Sequence, residues 1–201
     1  MHPGLRHALL TRLGDFLDRQ PELKVETVIT NSASAVVDEG LDLVLHIGRL
    51  SDSTLVARRL GWTRPVVCAS AAYLASFGEP AHPEELARHR AVIYARRDEA
   101  SNTRWKFSKG EVDCVVELSV RTVSRDGIGL VDAVLGGCGV ARPFDVAARH
   151  LIAAGALREL LPGWTGERQA VTAVLPAQGS AASAKVRLYL EHVAAWFDGL
   201  A

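Results

Sequence analysis

The stretch LDLVLHIGRL, residues 41–50, decides the fold class. Residues 41–47 are apolar except for Asp42 and His46, and the run ends on Gly48-Arg49. A short, almost wholly apolar run set between glycines reads as a strand covered on both faces, as in a parallel sheet. Upstream, KVETVIT (24–30) reads as another strand, followed by a polar loop at Asn31-Ser32. A short helix then reaches Glu39, and Gly40 closes it. Strand, helix, strand in that order is a right-handed crossover, so the first lobe is expected to be α/β. Before it, Leu5, Leu9, Leu13, Phe16 and Leu17 recur at helical spacing, and Pro21 ends that helix. His46 within the run raises the question of a metal ligand or a base. The seven histidines show no ligand spacing, so His46 reads as scaffolding at a strand end.

Towards the C-terminus the same alternation continues. PVVCA (65–69) is a short strand, and Ser70 caps a helix carrying Tyr73, Leu74 and Phe77 that stops at Gly78. Pro83 opens the helix PEELARH, with Glu84 and Glu85 at the positive end of its dipole. AVIYA (91–95) is a strand, RRDEASNT an exposed loop, and WKFSKGEVDCVVEL a hairpin turning at Lys109-Gly110. Ser124 is placed to cap a helix through Leu135, ended by Gly136-Gly137, before the strand GVARP. A helix from about Asp145 to Ala154, a strand AVTAVLP (170–176) and a last helix with Val186, Leu190, Val193 and Phe197 on one face complete the chain. The late strand and helix have no partner of their own and are expected to return to the first lobe. Two lobes joined by two crossing segments would enclose a cleft, a favoured place for a small ligand.

Bulk properties narrow the class. The chain of 201 residues is 48% hydrophobic and 23% charged, with 23 Lys+Arg against 23 Asp+Glu. Zero net charge argues against nucleic acid or an anionic membrane as the main partner of these residues. Cys68, Cys114 and Cys138 are too few and too widely spaced for a zinc site or a disulfide scaffold, which fits a reducing, cytoplasmic setting. The N-terminal residues lack the apolar core of a signal peptide, and nothing approaches a membrane span.

No Walker loop, nucleophile elbow, HExxH or dinucleotide fingerprint occurs, and no nucleophile–base pair stands out, so catalysis is not expected. The glycines of GGCG (136–139) read as a helix cap and a tight turn. Arg49, Arg96-Arg97, Arg121 and Arg142 stand near strand ends, where a guanidinium can grip a carboxylate. Ser32, Ser70 and Ser124 precede helices; capping is their default role, and helix N-termini also accept anions. Together these suggest a small organic acid as ligand.

The ordered set EGLDLVLHIGRLSDSTLVARRLG, VVCASAAYLASFGEPAHPEELARHR, WKF, GGCGVARP and GALRELLPGW resembles the effector-binding domain of LysR-type transcriptional regulators over nearly the whole chain. The family's usual runs are "IRIG", "SSLVARRLG", "ASPAYLARHG", "TPEDLARH", "GLGIALLP" and "GRLVPLLPDW". The resemblance implies a two-lobed, periplasmic-binding-protein-like (type 2) α/β fold. Lobe I would comprise residues 1–68 and 170–201, and lobe II residues 69–169. It implies a non-enzymatic sensor, without cofactor or metal, that binds a small anionic effector between the lobes. By similarity, effector contacts come from Asn31, Ser32, Gly48 and Arg49 in lobe I. In lobe II they come from Ala69, Ser70, Thr122, Val123, Ser124, Pro143 and Phe144. Partners implied are a homodimer or tetramer through the sensor lobes, and promoter DNA through a winged helix-turn-helix that these residues do not include. A solute-binding protein of the same architecture is the alternative. Two departures stand out: the family's first sensor strand is missing ahead of Met1, and His46 replaces the arginine of "IRIG". Loss of that strand would leave backbone groups of the lobe I sheet exposed, with lower stability or pairing to another chain as the expected result.

Overall fold

The computed structural model describes residues 1–50, 55–95, 103–164, 166–176 and 183–199. Of the expected loop RRDEASNT (96–103), residues 96–102, with Arg96-Arg97, lie outside them. The chain divides into two compact units, Met1–Thr63 with Arg168–Ala201, and Arg64–Glu167.

Unit 1 is built on a three-stranded sheet. Its strands are β1 (Val44–Ile47), β2 (Val56–Thr63) and β9 (Gln169–Leu175), in the order β1-β9-β2. β9 lies antiparallel to both neighbours, with His46 opposite Thr172 and Trp62 opposite Ala170. The apolar run at 41–47 was expected in a parallel pairing; it pairs antiparallel instead, because its neighbour comes from the far end of the chain. The C-terminal helix α7 (Ala184–Asp198) buries Val186, Leu190, Val193 and Phe197, as its spacing predicted. It seats closely: a β-carbon on Gly61 would lie 2.6 Å from the Phe197 ring. The sheet register shifts between Arg59 and Gly61, a bulge at that point of contact.

The N-terminal helical segment is broken into a 3₁₀ turn (Pro3–Leu5), α1 (Arg6–Leu10) and α2 (Leu13–Asp18). Near the break, Thr11 Oγ1 donates to the His7 carbonyl at 2.8 Å and Arg12 to the Ala8 carbonyl at 2.9 Å. Side-chain bonds of this kind compete with continuation of the helix. α3 (Ala35–Asp38) is a single turn, and Gly40 follows it at φ 63°. KVETVIT forms no regular strand. Its end is held: the Met1 ammonium donates to the Val28 carbonyl, and Thr30 N–H donates to the Met1 carbonyl at 3.0 Å.

Unit 2 carries β3 (Val67–Ser70), β4 (Arg90–Tyr94), β7 (Ser119–Ser124) and β8 (Leu157–Leu160), and the hairpin β5 (Arg104–Lys109) with β6 (Val112–Glu117). β8 pairs antiparallel with β3, and β4 pairs parallel with β7. Single bridges at Ala141 to Cys68 and Val140 to Ala91 insert residues 140–141 between β3 and β4. The lateral order is thus β8, β3, residues 140–141, β4, β7. GVARP, expected as a strand, makes these bridges only, since Pro143 has no N–H with which to extend a ladder. Against the sheet lie α4 (Ala71–Phe77), α5 (Gly127–Leu135) and α6 (Asp145–Ala153). PEELARH is a 3₁₀ helix, Pro83–Arg88, instead of an α-helix. The hairpin turns where expected, with Gly110 at φ 60°.

One core cluster packs Trp105, Phe107, Leu86, Ile93 and Leu160; a second packs Cys68, Val92, Val134 and Leu157. Arg142 clamps the hairpin. Its guanidinium lies 4.9 Å from the Trp105 ring centroid and 5.6 Å from that of Phe107, and it donates to the Lys106 carbonyl at 3.0 Å. Gly139 has no substitute, because a β-carbon there would sit 2.1 Å from the Arg90 carbonyl oxygen.

Candidate functional site

In unit 1, β1 and β2 run the same way on either side of β9, so Gly48 and Arg49 emerge beside Trp62 and Gln169. The Gly48 amide donates to the Ala170 carbonyl at 3.0 Å, and φ of 104° turns the chain away from the sheet. A side chain at this φ would be strained, so glycine sets the direction in which Arg49 leaves. Arg49 is exposed. Asn31 and Ser32 follow Thr30, whose amide is tied to Met1, while His2 N–H donates to the Leu45 carbonyl at 2.8 Å. These bonds place the 31–32 loop at the same end as Gly48 and Arg49. There Ser32 N–H donates to Thr30 Oγ1 at 3.1 Å, and its hydroxyl meets that of Ser34 at 2.8 Å. The fold gathers these four residues at the carboxyl ends of β1 and β2, the end at which antiparallel β9 begins.

Sequence reasoning passed over their neighbours at this end. Trp62, 44% exposed, has the Arg59 guanidinium 5.1 Å and the Arg168 guanidinium 5.6 Å from its ring centroid. The signal available was a tryptophan among arginines in VARRLGW.

In unit 2 the residues divide. Thr122, Val123 and Ser124 end β7, paired with Val92, Ile93 and Tyr94. Residues 140–141 run parallel to β4, so Pro143 and Phe144 come out at the same end as Ser124. The Pro143 carbonyl accepts from Val66 N–H at 2.9 Å, and Phe144 precedes α6. Ala69 and Ser70 lie at the opposite end of the sheet, because β3 is antiparallel to residues 140–141. Both are buried, and Ser70 Oγ accepts from Tyr73 N–H at 3.4 Å to cap α4.

Ser124 is not the cap of α5. Asp126 holds that place, accepting from Ile128 and Gly129 N–H groups at 2.8 Å each. Ser124 Oγ supports the turn by donating to the Asp126 carbonyl at 2.7 Å. The carboxylate outcompetes the hydroxyl because a charged acceptor also meets the positive end of the helix.

Among the arginines considered, Arg142 is committed to the hairpin; burial lowers its pKa to about 10, still charged at neutral pH. Arg121 is exposed on β7. His46 is half-buried, with its ring centroid 6.4 Å from that of His2. Among the described residues, no three His, Cys, Asp or Glu side chains converge on a possible metal site. No described helix is long and apolar enough to cross a membrane.

Comparison with known proteins bears on the family and the fold. The family model for the LysR substrate binding domain matches residues 2–198. An HTH-type transcriptional regulator of Xanthomonas campestris pv. campestris is 36% identical over 181 residues, 89% of this chain and 52% of that protein. The HTH-type transcriptional activator AaeR of Escherichia coli is 31% identical over 79% of this chain and 50% of its own length. The chain thus spans about half the length of these curated relatives. The regulatory domain of CrgA, a LysR-type transcriptional regulator from Neisseria meningitidis, superposes with a TM-score of 0.84 at 27% identity, covering 97% of this chain and 94% of that one. Those relatives are regulators of transcription, not enzymes. The chain belongs to the family of LysR substrate-binding domains, the effector-binding part of LysR-type regulators.

Proposed function

We propose that these residues sense a small organic anion on behalf of a LysR-type transcriptional regulator. In unit 1, Asn31, Ser32, Gly48 and Arg49 contact the effector; in unit 2, Thr122, Val123, Ser124, Pro143 and Phe144 do so. Ala69 and Ser70 support α4. The observation that carries the reading is the gathering of the 31–32 loop and Gly48-Arg49 at one end of the unit 1 strands, where Arg49 is exposed and Arg59 and Arg168 flank Trp62. A guanidinium beside serine hydroxyls and loop amides suits a carboxylate. Promoter DNA is bound by another domain of the regulator, and the sensor acts as a homodimer or tetramer in the cytoplasm. The relatives are regulators, which favours this reading over a transported-solute receptor.

A thermal-shift screen of aliphatic and aromatic carboxylic acids tests it. An acid at a hundred times its dissociation constant adds about 2.7 kcal/mol, a plainly visible shift. Arg49→Ala and Ser124→Ala should each weaken that acid about tenfold, whereas Ser70→Ala should lower stability and leave affinity unchanged. Binding of neutral or cationic compounds alone would overturn the anionic reading. Affinity untouched by Arg49→Ala would remove that residue from the site.

A further inference from the structure

Trp62 owes its direction to an irregularity in its strand. Along a regular strand, residues three apart face opposite sides of the sheet. In β2 the register shifts, so that Arg59 stands opposite Thr172 and Gly61 opposite Val171. The extra residue, Leu60, is buried, and it brings Arg59 and Trp62 onto one face. That face looks away from α7, because a β-carbon on Gly61, the residue before Trp62, would meet the Phe197 ring. On it the Arg59 guanidinium lies 5.1 Å from the Trp62 ring centroid, and the Arg168 guanidinium reaches the same ring at 5.6 Å.

Beside the indole the sheet surface is bare. Trp62 and Gly48 both stand opposite Ala170, the first by strand pairing and the second through its amide on the Ala170 carbonyl. Residues directly opposite share a face, so one methyl and one hydrogen form the floor between Trp62 and the strand that leads to Arg49. α3 covers Val44 and Val174, further back on the same face. Gly48 and Ala170 stay partly exposed, and Trp62 is 44% exposed. β1 and β2 stand two strand spacings apart, about 10 Å, which leaves room for one ring and its acid group. Both guanidiniums lie beyond the stacking contact of about 3.5–4 Å, so the indole surface stays open. Among the described residues, neither Arg59 nor Arg168 has a carboxylate partner.

We infer that Trp62 determines specificity: its indole is the platform for an aromatic acid whose ring lies over Gly48 and Ala170 and whose carboxylate is gripped by the arginines around it. The inference rests on the anionic reading above for the acid group and adds the ring. Offset stacking of two π systems needs a flat partner. A guanidinium meets a carboxylate edge to edge, in the plane that an aromatic acid shares with its ring. An aromatic acid therefore satisfies both contacts at once. A saturated ring of the same size and charge satisfies only the second.

The test titrates benzoate, 2-naphthoate, cyclohexanecarboxylate and benzamide against the whole chain and against Trp62→Phe, Trp62→Leu and Arg49→Ala. Wild type should bind benzoate about fivefold more tightly than cyclohexanecarboxylate, the size of one aromatic contact, and naphthoate more tightly still. Trp62→Phe should keep that preference and Trp62→Leu should lose it, mainly through weaker benzoate binding. Tryptophan fluorescence should respond to benzoate in the wild type and in neither Trp62 variant. Trp62 is exposed on an outer strand, so both variants should melt as the wild type does. Equal affinity of the wild type for benzoate and cyclohexanecarboxylate would overturn the inference, as would a preference that survives Trp62→Leu or no binding of either aromatic acid. In those cases the anionic reading would still stand on any aliphatic acid that Arg49→Ala weakens. Benzamide binding as tightly as benzoate, with the ring preference lost in Trp62→Leu, would instead overturn the anionic reading and leave the platform.

Discussion

His2 holds the Gly4 amide on its Nδ1 at 3.1 Å, and the neighbouring residues Pro3 to Leu5 are buried. Burial, then the nearby His46 and the Met1 ammonium, lower its pKa from 6.5 to about 4. A proton on Nδ1 would also remove the acceptor that Gly4 uses. The sign follows from linkage: the folded state holds its proton more weakly than the unfolded chain, so protonation favours unfolding. The contribution of His2 is complete above pH 6.5 and is lost as pH falls through about 4. A shift of this size corresponds to on the order of 3 kcal/mol. His2→Asn, which keeps a capping acceptor without a titrating ring, should flatten the fall in denaturation midpoint between pH 6.5 and 4. An unchanged pH profile in that variant would assign the acid sensitivity elsewhere, to the buried His89 first, whose pKa burial also lowers.

Among the elements, α5 offers the sharpest contrast between two candidate caps, Asp126 directly before Gly127 and Ser124 two residues earlier. Asp126→Ala should cost about 1–2 kcal/mol in chemical denaturation, the range for losing a helix cap, and Ser124→Ala distinctly less. Equal costs would mean that the hydroxyl shares the capping role. The same comparison shows where the sequence was readable. Elements with long apolar faces or decisive turn chemistry were legible: α7 with its four buried positions, the hairpin at Gly110, β4 and α6. The strands β2, β7 and β8 were not, since VARRLGWT, SVRTVS and LREL mix charge with apolar residues at positions exposed on edges. The direction of β1 was hidden for a different reason, because its partner β9 lies more than 120 residues away and local pattern carries no such information. In the candidate site, the loops were proposed from the family's motif order. That Ser70 faces the other end of its sheet from Ser124 depends on strand direction, which no motif states.

For the whole molecule, the division at Thr63 and Arg168 gives the two units unequal independence. Unit 2 is one continuous stretch with its own two core clusters. Expressed alone, residues 64–167 should melt as a single cooperative transition; a broad, non-cooperative melt would show that it depends on unit 1. Unit 1 cannot be isolated this way, because its central strand comes from the tail of the chain while its two outer strands come from the head. On the ribosome this imposes an order. β1 and β2 emerge more than a hundred residues before β9, the strand that pairs with both among the described residues, while unit 2 can complete itself as it appears. The first lobe to be made is therefore the last to fold, and a chain halted near residue 167 carries a finished second unit behind an unfinished first one. Its early apolar strand, the run around His46, is then the segment most in need of a chaperone's cover.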